Sequence, residues 1–317
     1  MKRVLLSLAI MAMVFVDAFG QQNPLFSHYM LNPTLYNPGF SGSGSTAYIS
    51  AGHRSQWLGY NTTLDGTGGA PTSQNISISI PVQGILSGVG MNVLNDNIGP
   101  VSNLKVQPML AISRSIRQGV LTFGIAPAVI TQTLNFNELR FVDPSDPFNV
   151  GSRQTQTQPD LDIGIVYSTD KMDIGISAQN LLEASFNFGV EELGNNYTRS
   201  FVGTWRYRYS PIYNFVFMPS MIIRYDLNTT TFDAGVMATY QDRIWGGLSY
   251  RFSEAIIMLL GYSFLEDNKL RVGYSFDYVV SNQEAKQPTS HEIFLRYNLP
   301  SFSFGGKKIV RTPRFIF

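Results

Sequence analysis

The stretch Lys269-Leu270-Arg271-Val272-Gly273-Tyr274-Ser275-Phe276-Asp277-Tyr278 decides the fold. Leu270, Val272, Tyr274, Phe276 and Tyr278 fall on one side of an extended chain. Lys269, Arg271, Gly273, Ser275 and Asp277 fall on the other. A period of two with an apolar face and a polar face is the mark of a half-buried β-strand. Ile256, Met258, Leu260, Tyr262 and Phe264 repeat the pattern just upstream. So do Phe201, Gly203, Trp205, Tyr207 and Tyr209, opposite Thr204, Arg206 and Arg208, and Phe232, Ala234, Val236, Ala238 and Tyr240, opposite Thr231, Asp233, Gly235 and Thr239. Past residue 20 no stretch shows a capped 3.6-residue period, so the chain reads as all-β.

Candidate strands run 45–58, 72–81, 85–94, 102–116, 119–134, 159–169, 171–180, 198–210, 212–226, 230–241, 243–252, 255–264, 269–278 and 289–299. They number 14. Most approach the ~9–11 residues that a tilted strand needs to cross a bilayer. Composition agrees. Of 317 residues only 14% are charged, against roughly 25% in an ordinary soluble domain. Aromatics reach 13%, with 16 Tyr and 22 Phe, while mean hydropathy stays at −0.01. That average excludes a bundle of membrane helices and fits a transmembrane barrel, whose lipid-facing and lumen-facing residues alternate. The reading is an antiparallel up-and-down β-barrel of about 14 strands lying in outer-membrane lipid. A β-sandwich adhesin is the soluble alternative, but Greek-key crossings would scatter the long connections.

The expected connections alternate. Long loops at 59–71, 135–158 and 181–197 are separated by short turns at 82–84, 117–118, 168–170 and 210–211, with a medium connection at 95–101. Outer-membrane barrels place short turns in the periplasm and long loops outside, which puts both ends of the barrel on the periplasmic side. Connections near 226–229 and 253–254 are short where the rule asks for long ones.

The N-terminus is read as a secretory signal over 1–20: Lys2 and Arg3, then an apolar stretch from Val4 to Val16, then Ala18-Phe19-Gly20. From Gln21 onward there are 21 basic and 21 acidic residues, so no basic excess points to nucleic acid. Cysteine is absent, which excludes disulfides, thiolate metal sites and thiol nucleophiles. Residues 21–44 form an Asn-Pro-rich strap punctuated by Asn23-Pro24, Asn32-Pro33 and Asn37-Pro38, without a charge. Repeated Asn-Pro stops both helix and ladder. Phe26, Tyr29, Met30, Leu31, Leu35, Tyr36 and Phe40 of the strap need burial, in the barrel lumen or against a partner protein. The barrel proper is placed at 45–299 and a C-terminal tail at 300–317.

The opening Gln21-Gln22-Asn23-Pro24-Leu25-Phe26-Ser27-His28-Tyr29-Met30-Leu31-Asn32-Pro33, followed by Tyr36-Asn37-Pro38-Gly39-Phe40-Ser41-Gly42-Ser43, resembles the start of the PorP/SprF family. His53-Arg54-Ser55-Gln56-Trp57, Gly69-Ala70-Pro71-Thr72, Ser290-His291-Glu292-Ile293-Phe294-Leu295-Arg296-Tyr297 and the closing Pro313-Arg314-Phe315 are similar to that family as well. Gly39-Phe40 departs from it, since Ala-aromatic is expected after Asn-Pro. The resemblance implies a non-enzymatic outer-membrane barrel of the type IX secretion and gliding-motility apparatus. It would work with other components of that system and export or anchor a secreted surface protein through a C-terminal sorting domain. No catalytic, cofactor or metal residue follows from the family. Partner-binding or lumen candidates are Phe26, Tyr29, Tyr36, Arg54, Gln56 and Trp57. A general diffusion porin or small-solute channel is the alternative, because 14 strands fall between filled barrels and water-filled ones.

Other chemistry reads as structural. His28, His53 and His291 are the three histidines; His291-Glu292 lacks a zincin's second His, and His53 and Ser55 share a strand face without an orienting acid. Gly42-Ser43-Gly44-Ser45 reads as a hinge, Asp143-Pro144-Ser145-Asp146-Pro147 as turn chemistry, and Asp65 and Glu191-Glu192 as solvated loop charges. Arg206, Arg208, Arg224, Asp233, Arg251, Arg271, Asp277, Glu292 and Arg296 lie mostly on the polar strand faces. They are expected to brace the lumen wall as cross-strand ion pairs.

Overall fold

The computed structural model describes residues 23–60, 69–139, 152–189, 193–281 and 286–300. The expected signal at 1–20, Asp65, the expected turn at 143–147, Glu191-Glu192 and the expected tail at 301–317 lie outside them. Period-two patterning yields strands β1 (Tyr48–Ser55), β2 (Thr72–Pro81), β3 (Gly88–Ile98), β4 (Val101–Ile116), β5 (Gly119–Asn135), β6 (Arg153–Ser168) and β7 (Met172–Gln179). A hairpin follows, β8 (Ser185–Phe188) and β9 (Leu193–Asn196). The chain continues with β10 (Ser200–Tyr207), β11 (Phe215–Tyr225), β12 (Thr230–Tyr240), β13 (Ile244–Arg251), β14 (Ala255–Phe264), β15 (Leu270–Val279) and β16 (Thr289–Asn298). Fourteen strands close into one antiparallel barrel, each paired with its sequence neighbour and β1 with β16; β8 and β9 form a separate two-stranded sheet.

Each strand turns its apolar side outward. On β14, Ile256, Met258 and Leu260 are exposed while Ala255, Ile257 and Leu259 are buried. Aromatic side chains gather at both rims of that outer face. Trp205 stacks beside Tyr207, Phe215 meets Tyr240 at 4.7 Å and Tyr262 meets Phe264 at 4.7 Å near the short turns. Tyr225, Tyr250, Phe252 and Tyr278 lie at the opposite rim, the end that carries the long connections elsewhere in the barrel. Phe215 and Tyr225 are ten residues apart on β11. At ~3.3 Å per residue and a ~40° tilt, that spans about 25 Å, the height of an outer-membrane apolar band.

Four expectations change. The turn read at 210–211 spans 208–214, because β10 ends at Tyr207 and β11 begins at Phe215. The connection read at 95–101 is the two-residue turn 99–100, because β3 and β4 pair as far as Ile98 and Val101. The loop read at 135–158 is shorter, because β6 begins at Arg153. Gln154-Thr155-Gln156-Thr157-Gln158 has no apolar member and so carries no ordinary strand signal. The loop read at 181–197 contains the β8–β9 hairpin.

One seam departs from a regular ladder. β4 and β5 pair through Val106 with Val129 and again from Leu110 with Ile125, leaving 107–109 and 126–128 unpaired. The common register sets Pro108 opposite Pro127. Neither has an N–H to donate, so this pair cannot bond across the seam.

Candidate functional site

Residues 23–42 lie inside the barrel, and the chain becomes exposed at Ser43 and Gly44. Two single-turn 3-10 segments, Pro33–Leu35 and Pro38–Phe40, are the strap's only regular structure. Short turns satisfy some of its backbone groups, such as Leu31 N on His28 O and Phe40 N on Asn37 O, and the rest must find partners elsewhere. The wall supplies them. Glu292 accepts from the N–H groups of Ser27 (2.6 Å) and His28 (3.1 Å). Arg206 donates to the carbonyl of Met30 (2.8 Å), and Arg296 to that of Leu31 (3.1 Å). Asn92 donates to Thr34 O (2.8 Å), while Ser177 and Gln179 both donate to Tyr36 O. Gly42 N donates to Ser79 Oγ (2.8 Å) near the short-turn end.

The strap answers with apolar bulk. Phe26, Tyr29, Met30, Leu31, Tyr36 and Phe40 are buried, and Leu35 is half-buried. Tyr29, Met30, Leu31 and Tyr36 pack with Val202, Met218, Ile222, Met237, Trp245, Ile257, Leu259 and Phe294 of the wall. Full burial of such side chains is worth roughly 1.5–3 kcal/mol each. His28 stacks on Phe294 at 5.2 Å and meets the edge of Trp245 at 5.7 Å. Asn37-Pro38-Gly39 lies flat on three wall glycines, Gly124, Gly164 and Gly175, where an added Cβ would overlap Pro38 or Asn37. The Asn37 amide donates to the carbonyls of Ile165 and Ile176 on adjacent strands, at 3.2 and 3.1 Å.

Charges behind the strap form a buried chain. Arg54 on β1 reaches Asp277 (2.6 Å) and lies 3.6 Å from Glu292, and Glu292 also contacts His28 Nδ1 at 2.6 Å. Arg251 lies 3.7 Å from Asp277 and bonds Asp233 at 3.0 Å, and Asp233 also bonds Arg224 at 2.8 Å. Three arginines and three carboxylates thus alternate across β1, β11, β12, β13, β15 and β16. Ser27 of the strap joins them, donating to Asp277 at 2.7 Å and accepting from Arg54 at 2.9 Å. A second cluster has no precedent in the sequence reading. Lys105 Nζ bonds Asp160 (3.2 Å), Asp162 (3.0 Å) and Asn180 (3.2 Å). Asp160 and Asp162, two apart on the polar face of β6, were the available signal. Among the described residues no group of histidines and carboxylates could hold a metal ion.

The six site candidates separate. Phe26, Tyr29, Tyr36 and Arg54 meet in the lumen. Gln56 and Trp57 do not, because β1 ends at Ser55 and both lie beyond it. Gln56 N donates to Pro71 O (2.9 Å), and the Trp57 ring sits 5.2 Å from the Lys286 ammonium at the long-loop end. The expected inward charges are confirmed at Arg224, Asp233, Arg251, Asp277 and Glu292, all buried. Arg206 and Arg208 share Asp173 near the short-turn end.

Among the described residues, crevices between strap and wall include two of about 30 Å³ each, the size of one water. Asn23, where the described strap begins, lies beside Gln179 and borders both, at the long-loop end of the lumen.

That long-loop end is built up on one side. The outer faces of β5 and β6 change from apolar to threonine at Thr131, Thr133, Thr155 and Thr157, paired by hydroxyl contacts of 3.0 and 2.9 Å. The two strands therefore rise past the lipid band. On the inner side of this raised wall, Phe186 and Phe188 of β8 pack with Ile130, Leu134, Phe136 and Tyr197. Gln156 bonds both backbone groups of Asn187, and Gln154 accepts from Gly189 N, as a neighbouring strand would. Burial, with Asp96 and Asp160 nearby, pushes the Tyr197 phenol up, so it stays neutral.

A strap-filled lumen inside a 14-strand wall is the setting for the comparisons. The model of the PorP/SprF type IX secretion system membrane proteins matches residues 18–297. The chain belongs to this family. It is an outer-membrane β-barrel of the type IX secretion class. No curated protein matches it. Solved structures are similar at low identity. The toluene transporter TbuX of Ralstonia pickettii is 10% identical with a TM-score of 0.50, over 84% of this chain and 93% of that one. A FadL homologue of Pseudomonas aeruginosa is 11% identical with a TM-score of 0.46, over 84% and 93%. Omp33 of Acinetobacter baumannii is 6% identical with a TM-score of 0.45, over 81% and 100%.

Proposed function

We propose that this PorP/SprF barrel is a non-enzymatic partner barrel that exports or anchors a secreted surface protein, engaging its C-terminal sorting domain at the long-loop end alongside other type IX components. The observation that carries the reading is the lumen. A diffusion porin needs an open water path, whereas here an uncharged strap occupies the interior, with its backbone bonded to wall side chains and water-sized crevices beside it. A barrel filled in this way serves as a membrane-held platform. Its working surface is then its rim, and the raised β5–β6 wall with the β8–β9 hairpin makes one rim much larger than the other.

Long connections outside and short turns in the periplasm orient that rim toward the cell exterior. The test is co-purification. The tagged barrel, extracted in gentle detergent, should bring down a secreted surface protein together with type IX components. Recovery of neither, combined with steady single-channel conductance by the purified barrel, would replace this reading with a porin.

A further inference from the structure

The raised wall has an unfinished edge. β6 runs from Arg153 to Ser168 and pairs with β5 along its whole length. Its pairing with β7 covers only Ile163 to Ser168. Backbone bonds from Thr169 N to Met172 O and from Leu181 N to Leu161 O fix which residues face the β7 side: the odd-numbered ones. Phe136 N donates to Ser152 O on the opposite side, which assigns the even-numbered residues to β5. Beyond Leu161, the N–H and C=O groups of Arg153, Thr155 and Thr157 and the C=O of Pro159 therefore point away from β5. Among the described residues no strand pairs with them. These groups recur every second residue, ~6.6–6.8 Å apart, a spacing that another extended backbone matches.

We propose that the Arg153–Pro159 edge of β6 is a strand-acceptor site, to which an extended segment of the secreted partner adds antiparallel or parallel to β6. The inference rests on the partner-barrel reading above and adds where and how the partner is held. Three observations select this occupant. The edge stands above the lipid band, because Thr155 and Thr157 replace apolar residues on the outer face, so it is reached from water at the long-loop end. The inner side chains of the same strand, Gln154 and Gln156, are already committed to the β8 backbone, so the strand is held in place before a partner arrives. The usual protections of a free edge are sparse: Pro159 at its base and Arg153 at its tip, with no lysine or bulge between. Leu182, 54% exposed with its N–H on Asp160, offers an apolar contact beside the base of the edge.

Thr155→Pro/Thr157→Pro removes two edge N–H groups and leaves the β5 ladder intact, since that ladder uses the even-numbered residues. The protein should still insert and show a heat-modifiable band, while recovery of the secreted partner falls at least about tenfold, as two lost backbone hydrogen bonds imply. Thr155→Val/Thr157→Val keeps both N–H groups and should recover far more partner than the proline pair. Equal recovery for wild type and the proline pair, or equal loss for both pairs, overturns the edge and leaves the partner-barrel reading standing. No partner with wild type overturns both. Because the chain has no cysteine, Thr157→Cys carrying a benzophenone reports the occupant even where proline disturbs folding. An adduct with the secreted partner is expected; an adduct with a second copy of the barrel, or within its own chain, contradicts the proposal.

Discussion

The strap and the wall around it fill one space with opposite chemistry. Residues 23–44 bring no charge, seven buried apolar side chains and a backbone bonded to itself only in short turns. The wall brings Arg54, Arg224, Arg251, Asp233, Asp277 and Glu292, all buried, and the donors and acceptors that the strap lacks. Each would be unstable alone. Without the wall, the strap would expose aromatic rings and irregular backbone. Without the strap, Glu292 would lose the two N–H groups that it binds, and Arg206 and Arg296 the carbonyls that they bind. The difference shows that an irregular segment can be held as firmly as a strand when another part of the chain supplies its hydrogen bonds.

The largest break in this arrangement should come from the wall. Asp277→Ala removes the carboxylate shared by Arg54, Ser27 and, at 3.7 Å, Arg251. Stranding buried guanidinium groups costs about 3–5 kcal/mol, so the folded band in a heat-modifiability assay should be lost at a clearly lower temperature. Asp267→Ala, which breaks only the exposed pair with Lys269, should leave that temperature unchanged.

The outer face comes next. Leu260 is 66% exposed on β14, where lipid replaces water. Leu260→Arg should cost roughly 2–4 kcal/mol near mid-bilayer and lower the yield of assembled barrel. Equal heat-modifiable band intensity for this variant and wild type would mean that the face does not meet lipid.

A smaller change sharpens the comparison from the strap's side. Gly164→Val builds a side chain into the space of Asn37. Overpacking of this kind costs about 1–3 kcal/mol, and lifting Asn37-Pro38-Gly39 off the wall is the easiest relief. The barrel should still form, with raised conductance.

Most of the wall was legible because a barrel strand writes its two environments into alternate residues, as 269–278 does. The strap's burial was legible from large apolar side chains among prolines. What escaped was of a different kind. Thr155 and Thr157 alternate with glutamines, so the raised part of β6 offers polar residues on both faces and no period of hydropathy. Phe186 and Phe188 do alternate with Ser185 and Asn187, but four residues are too short a run to distinguish a strand from a loop. The motif His53-Arg54-Ser55-Gln56-Trp57 continues past Ser55, where β1 stops, so Gln56 and Trp57 leave the lumen that Arg54 enters, and nothing in the motif marks that end. The facing of Pro108 and Pro127 depends on register, which no local pattern records.

The central claim is that the strap closes the lumen, and single-channel recording tests it most directly. Purified wild-type barrel in a planar bilayer should pass little steady current, and a variant lacking residues 23–40 that inserts with a normal heat-modifiable band should pass distinctly more. Equal conductance from the two proteins, whether both silent or both open, would contradict the account.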